Sequence, residues 1–229
     1  MCDSNCGMNA ISTPTCHRLR EQIRSEIVAG IWKLGAHVTL AELSSHYEVG
    51  ANPVREALLQ LQGEGMIDMR MNRGAVIPAV DARYIDNLYQ LRGSTQMALC
   101  REAARRATPN DLEQLDQHLA AYERSATSGD IAACVQSNRT LHHFIDSLAD
   151  NPLALDVLRA RCGLVDAFRR THGYGVGRLH VVVAQHRKLV DAICAADADA
   201  AANAAFEHTE SSRLDLLRLL EQTQAATAH

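Results

Sequence analysis

Residues Leu40–Gly74 carry the tightest local pattern in the chain, and few folds satisfy it. Thr39 can cap a helix over Leu40–His46, with Glu42 at the third helical position to complete a capping box. Tyr47–Gly50 is a short break. Asn52 has the side chain of an N-cap, and Pro53 then falls at the first helical position, where its missing N–H costs nothing. Val54, Ala57, Leu58 and Leu61 follow at i, i+3, i+4 and i+7, the apolar face of a second helix that Gly63 and Gly65 end. Ile67 and Met69 alternate with Asp68 and Arg70, as in a half-buried strand. Met71–Gly74 reads as a turn, and Ala75–Ala79 can return as the partner strand. This is a winged helix-turn-helix, an arrangement that sets its second helix in a DNA major groove.

Bulk charge does not favour nucleic acid. The net charge is −4. Between Thr15 and Val80 seven bases (Arg18, Arg20, Arg24, Lys33, Arg55, Arg70, Arg73) face seven acids (Glu21, Glu26, Glu42, Glu48, Glu56, Glu64, Asp68). Double-stranded DNA would therefore be held by where a few arginines point. Arg55 lies near the start of the second helix, where base edges and phosphates are reached. The alternative for Arg55 is an internal pair with Glu56 or Glu64. Asn52 and the backbone N–H groups beside it suit a phosphate. Arg73, next to Gly74 at the wing tip, can enter a minor groove or touch phosphate.

The remainder reads as helical. Met1–Pro14 has neither the basic start nor the apolar core of a secretory signal and is expected to be a disordered leader. Thr15–Ala29 is a first helix, and the DNA-binding domain is expected over residues 15–80. Asp81 caps a helix to about Ala107, on which Tyr84, Leu88, Leu91, Thr95 and Leu99 keep helical spacing. Thr108 caps another, to about Thr127, and Asp130 caps a third, to Ala149. Leu153–Thr171 reads as one helix, and Gly173, Gly175 and Gly177 as a flexible link. Arg178–Ala195 and Asp199–Leu220 form a final hairpin turning near Asp197, and 222–229 is a fraying tail. The expected fold is mainly α: the winged domain, then an all-α bundle of about six helices over 81–221. Only 4% of residues are aromatic, and abundant alanine and leucine suit helices packed through small side chains.

Most of the 11 histidines need no function, but three fall on apolar helix faces. His142 follows Asn138 by four residues, so the two project side by side with Cys134, Leu141 and Ile145. His186 lies 11 residues before Asp197 and His208 11 residues after it. Equal arms of a helical hairpin bring both to one height, ~16 Å from the turn. Two buried imidazoles at one level suggest a metal or anion pocket; a hydrogen-bonded core is the plainer alternative. Arg92 could clamp a carboxylate with its planar fork, or form a surface salt bridge.

The stretches "NPVREALLQLQGEGMI" (Asn52–Ile67) and "NRGAVI" (Asn72–Ile77) resemble the GntR family of bacterial transcription regulators. Gly50 and Ala51 stand where that family usually has Ser-Arg, which removes one DNA contact. From about Asp81 to Leu220 the chain resembles the FCD-type effector domain of the FadR-like subfamily, on Asn138–His142, Asn151-Pro152, Gln185-His186 through Asp197, and His208. The resemblance implies a homodimer on a palindromic operator in the cytoplasm. It implies a small organic-acid effector near Arg92, His142, His186 and His208. It also implies a divalent transition metal, zinc or nickel foremost, on Asn138, His142, His186 and His208. Two departures weaken the metal: Asn138 replaces the ligating Asp, and Gln185 replaces the Glu before the second His. A metal-dependent hydrolase or lyase would need a positioned base, and no H-E-x-x-H, G-x-S-x-G or phosphate loop is present, so an enzyme is not expected. A regulator whose effector is the metal itself is disfavoured by the same weak ligand set.

None of the seven cysteines forms a C-x-x-C pair, which suggests free thiols in a reducing compartment. No run reaches the ~18 apolar residues of a membrane span.

Overall fold

The computed structural model describes residues 12–70, 73–159 and 162–227. The first unit, up to Ala79, contains α1 (Ser12–Val28), β1 (His37–Val38), α2 (Leu40–His46), α3 (Ala51–Gly63), β2 (Asp68–Arg70) and β3 (Gly74–Val76). The capping box forms as the residues require. The Glu42 amide donates to Thr39 Oγ1 at 3.2 Å, and the Thr39 amide to the Glu42 carboxylate at 2.7 Å. Leu19, Ile23 and Ile27 of α1, Leu43 of α2 and the α3 stripe Val54, Ala57, Leu58 and Leu61 are all buried.

Three details differ from the expectation. The helix α3 begins two residues earlier, at Ala51, capped by extended Gly50, so Asn52 is not the N-cap. Alanine outranks asparagine as a helix former, and Pro53 is still in the first turn, where its missing N–H again costs nothing. The α1 helix already includes Pro14, which the leader was expected to hold; Met1–Ile11 lie outside the described residues. A third strand, β1, pairs with β3, giving the order β1-β3-β2. Two residues are too short for alternation to reveal.

That third strand explains Gly74. Its φ is +91°, and a Cβ there would stand 2.2 Å from the Val38 carbonyl oxygen and 2.9 Å from Thr39 Cα. The position tolerates no side chain because the β1 backbone fills its space.

The second unit, from Val80, is all helical: α4 (Ala82–Arg106), α5 (Pro109–Ser128), α6 (Ile131–Leu148), α7 (Pro152–Arg159), α8 (Cys162–His172), α9 (Arg178–Cys194) and α10 (Ala198–Thr227). Asp81, Thr108 and Asp130 cap α4, α5 and α6 as read. The α10 helix lies against α4 and α9, and α5 against α6 and α9. Small residues allow the approach: Ala103 and Ala104 of α4 share one cluster with Ala201, Ala204 and Ala205 of α10. The buried face of α4 is Ile85, Leu88, Tyr89, Gly93, Gln96 and Leu99, rotated from the expected stripe, so Leu91 faces solvent. The last helix runs through the expected tail to Thr227, because Glu221–Thr227 contains no glycine or proline to stop it. The single helix expected over Leu153–Thr171 appears as α7 and α8, with Ala160 and Arg161 between them outside the described residues.

The glycine-rich segment is a shaped connection. Gly173 and Gly177 have φ near +74° and +73°, and a Cβ on Gly175 would lie 2.6 Å from Asp215 Oδ1. It threads closely past a buried carboxylate.

Candidate functional sites: an exposed helix face and a buried histidine triad

In the first unit, Asn52 and Arg55 are exposed on α3, and Arg73 is exposed beside Gly74. No side chain caps the start of α3, so its first N–H groups are open to an anion. The internal pair considered for Arg55 does not form: Glu64 is held by Arg24 and Arg20 of α1. Among the described residues no ion pair engages Arg55 or Arg73. Further bonds tie α1 to the end of α2. Glu26 accepts from Trp32 Nε1 at 3.0 Å and from Tyr47 Oη at 2.7 Å, and lies 3.0 Å from His46 Nε2.

In the second unit, His142, His186 and His208 meet. Their relative exposures are 7%, 0% and 6%, and one ligand nitrogen from each lies within 4.8 Å of the others. The rings of His186 and His208 are 4.6 Å apart, as equal hairpin arms require. His142 Nε2 is 3.2 Å from His186 Nε2. Burial, with Arg92 adding to it, pushes the His142 pKa down to about 3. Burial also holds His186 and His208 well below the usual range, helped by the neighbouring imidazoles and Arg178. All three are therefore neutral at pH 7, the form that binds a metal.

The surrounding hydrogen bonds set the tautomers. His208 Nδ1 donates to Gln185 Oε1 at 3.2 Å, which leaves His208 Nε2 as a free lone pair. Gln96 Oε1 accepts from Thr209 Oγ1 at 3.0 Å, so its amide nitrogen faces His142 Nδ1 at 3.3 Å. His142 then carries its proton on Nε2, toward His186. A cation there would need that proton on Nδ1 and the Gln96 carbonyl turned to accept it, and Thr209 has a second acceptor in Ala205 O at 2.8 Å. The donor set fits a divalent ion. Imidazole nitrogens around a tetrahedral metal at about 2.0–2.1 Å lie about 3.3 Å apart, close to the His142–His186 spacing.

Asn138 is half-buried one turn before His142, and none of the triad's hydrogen bonds runs to it. Arg92 is half-buried and, among the described residues, forms no ion pair. Its guanidinium lies 5.0 Å over the Tyr89 ring, and its Nε is buried without a hydrogen-bond partner. Burial opposes its charge, but Tyr89, Cys162, Asp166 and Asp146 outweigh this and raise its pKa.

Sequence reasoning missed the neighbours. Gln96 and Tyr122, whose ring centroid lies 4.6 Å from that of His186, both touch the triad, and Gln185, read only as a departure from the family pattern, bonds His208. Beyond them Arg169 and Arg178 are buried on Asp215. A signal existed: His208, Ser211, Ser212 and Asp215 repeat at i, i+3, i+4 and i+7, a polar stripe along one helix.

Comparison with known proteins decides the family. Residues 15–77 match the model "Bacterial regulatory proteins, gntR family", and residues 87–211 match the FCD domain. The chain belongs to the GntR family and carries an FCD domain. Similar GntR regulators include the HTH-type transcriptional repressor RspR of Escherichia coli K12, 24% identical over 86% of each chain. The galactonate operon transcriptional repressor of the same organism is 28% identical over 75% of this chain and 83% of its own. The solved structure of E. coli McbR/YncC superposes with a TM-score of 0.75 at 20% identity, covering 91% of this chain and 98% of that one. These GntR relatives are transcription regulators, not enzymes. No helix of the described residues is long and apolar enough to cross a membrane.

Proposed function

We propose that this DNA-binding GntR regulator works as a cytoplasmic homodimer on a palindromic operator, and that a small carboxylate bound at the histidine triad sets its DNA affinity. The observation that carries the effector reading is the triad itself: three neutral, buried imidazoles with the unpaired Arg92 Nε nearby. A bound divalent metal, zinc or nickel, would supply a Lewis-acid contact for a carboxylate oxygen. His142, His186 and His208 would hold it; Asn138 would at most add a neutral carbonyl. Arg92 would orient the acid through its fork. The relative named for the galactonate operon suits an acid effector.

The test is metal content by mass spectrometry on untagged protein purified without chelator, beside His186→Ala. About one metal per chain in the wild type, lost in the variant, is expected. No metal in the wild type would overturn the metal reading.

The DNA half of the proposal rests on Asn52, Arg55 and Arg73, with Gly74 shaping the wing. Arg55→Ala is expected to weaken specific operator binding by ~1–3 kcal/mol, as loss of a base contact does. A titration giving unchanged operator affinity would remove Arg55 from the interface.

A further inference from the structure

We propose a second anion subsite at Arg178 and Arg169, beside the triad, so that the effector is a small acid with two anionic groups. This rests on the effector reading above and specifies its chemistry. Arg169 and Arg178 are 5% and 6% exposed, and both are paired to one carboxylate. Arg169 Nη1 reaches Asp215 Oδ2 at 2.5 Å, and Arg178 Nε lies 3.8 Å from the same oxygen. Two buried cations thus share one anion. Their other partners carry no charge. Arg178 Nη1 donates to Ser211 Oγ at 2.5 Å and to Gln185 Oε1 at 3.4 Å. Arg169 Nη1 donates to Gly173 O at 3.4 Å, and its guanidinium lies 4.6 Å over the Tyr174 ring. Arg169 Nη2, Arg178 Nε and Nη2, and the Tyr122 hydroxyl are buried with no hydrogen-bond partner. A buried guanidinium normally spends its donors, and an uncompensated buried charge is costly. A bound anion would satisfy both demands.

The subsite adjoins the triad. Gln185 Oε1 is shared: it accepts from Arg178 at 3.4 Å and from His208 Nδ1 at 3.2 Å. One neutral side chain therefore separates the two places where an anion is wanted. A surface groove of about 600 Å³ opens over Arg178 and offers an entry; Ser211 and Asp215 line it beside Arg178, with Glu207, Glu210 and Arg218 around them. The ligand class is a small molecule whose two anionic groups stand a few bonds apart, the second being a carboxylate or a phosphate.

Calorimetric titration of the full-length protein with acetate, succinate, glutarate and phosphoglycolate tests this, with Arg178→Met and the near-isosteric Gln185→Glu beside the wild type. The second substitution places a carboxylate against Arg178 and neutralises it without changing the packing. At least one dianion is expected to bind the wild type ten-fold or more tighter than acetate. Both variants should reduce the ratio of dianion to acetate affinity to three-fold or less. Should Arg178→Met fail to fold, Gln185→Glu alone decides. Success of succinate or glutarate marks the second group as a carboxylate, and success of phosphoglycolate as a phosphate. No dianion exceeding acetate, or an advantage that survives Gln185→Glu, overturns the subsite. If acetate does not bind but a dianion does, and Arg178→Met abolishes it, the triad reading fails and the arginine subsite stands.

Discussion

Asp215→Ala is expected to destabilise the helical unit by about 3–5 kcal/mol, the usual cost of removing one partner from a buried ion pair. The substitution strips Arg169 and Arg178 of the only carboxylate within salt-bridge distance among the described residues. Both guanidiniums are at least nine-tenths buried, so solvation does little to replace the lost partner. The loss is also steric, because the Gly175 backbone is packed against Asp215 Oδ1. Asp215→Asn keeps an acceptor at the same place and removes only the charge, so it should fall between wild type and Asp215→Ala. Urea denaturation followed by helical circular dichroism reads the effect. A loss under about 1 kcal/mol for Asp215→Ala would show that the arginines find other partners.

Mild acid should unfold the metal-stripped protein with unusual steepness. The folded His142 pKa is about 3, and those of His186 and His208 also lie well below 6.5. In the unfolded chain each returns to about 6.5. Below that value the unfolded state binds protons that the folded state refuses, so stability falls as the pH falls. The contribution is complete above about pH 6.5 and drains from there toward pH 3. His142 gives up about 1 kcal/mol between pH 6.5 and 5.5, and His186 and His208 act in the same direction. Melting temperatures of chelator-treated protein across that range check this. His186→Ala should flatten the slope after allowing for its own cavity. A flat profile would mean that the imidazoles accept protons in the folded state and that the pocket is wet.

What the sequence revealed depended on the range of each pattern. The Thr39–Glu42 box and the Val54–Leu61 stripe are local, set by one helix period, and both appear as read. The triad was legible for a different reason. A helical hairpin converts equal distances from Asp197 into spatial proximity, so counting residues paired His186 with His208. Where contacts come from distant elements, counting gives nothing. The β1–β3 pairing joins His37–Val38 to residues almost forty positions on, with no alternation to announce it. On α4, the spacing of large apolar residues drew the stripe through Leu91, whereas Gly93 and Gln96 face inward, one to admit Phe206 of α10 and the other to reach His142 and Thr209. Arg169 and Arg178 look like solvated charges in sequence. Their burial is visible only once α8, the glycine segment and α10 are seen to share Asp215.

The placement of β3 between β1 and β2 bears on how such regulators can be recombined. A wing looks like a detachable hairpin, and exchanging residues 68–76 between relatives is the obvious way to retarget one. Here the inner strand is stitched to Val38, and the Val38 carbonyl occupies the space over Gly74. A chimaera that imports only the hairpin inherits a foreign seam on that side. The exchangeable module is discontinuous: it includes residues 37–39 as well, so the tip arginine travels with the strand that aims it.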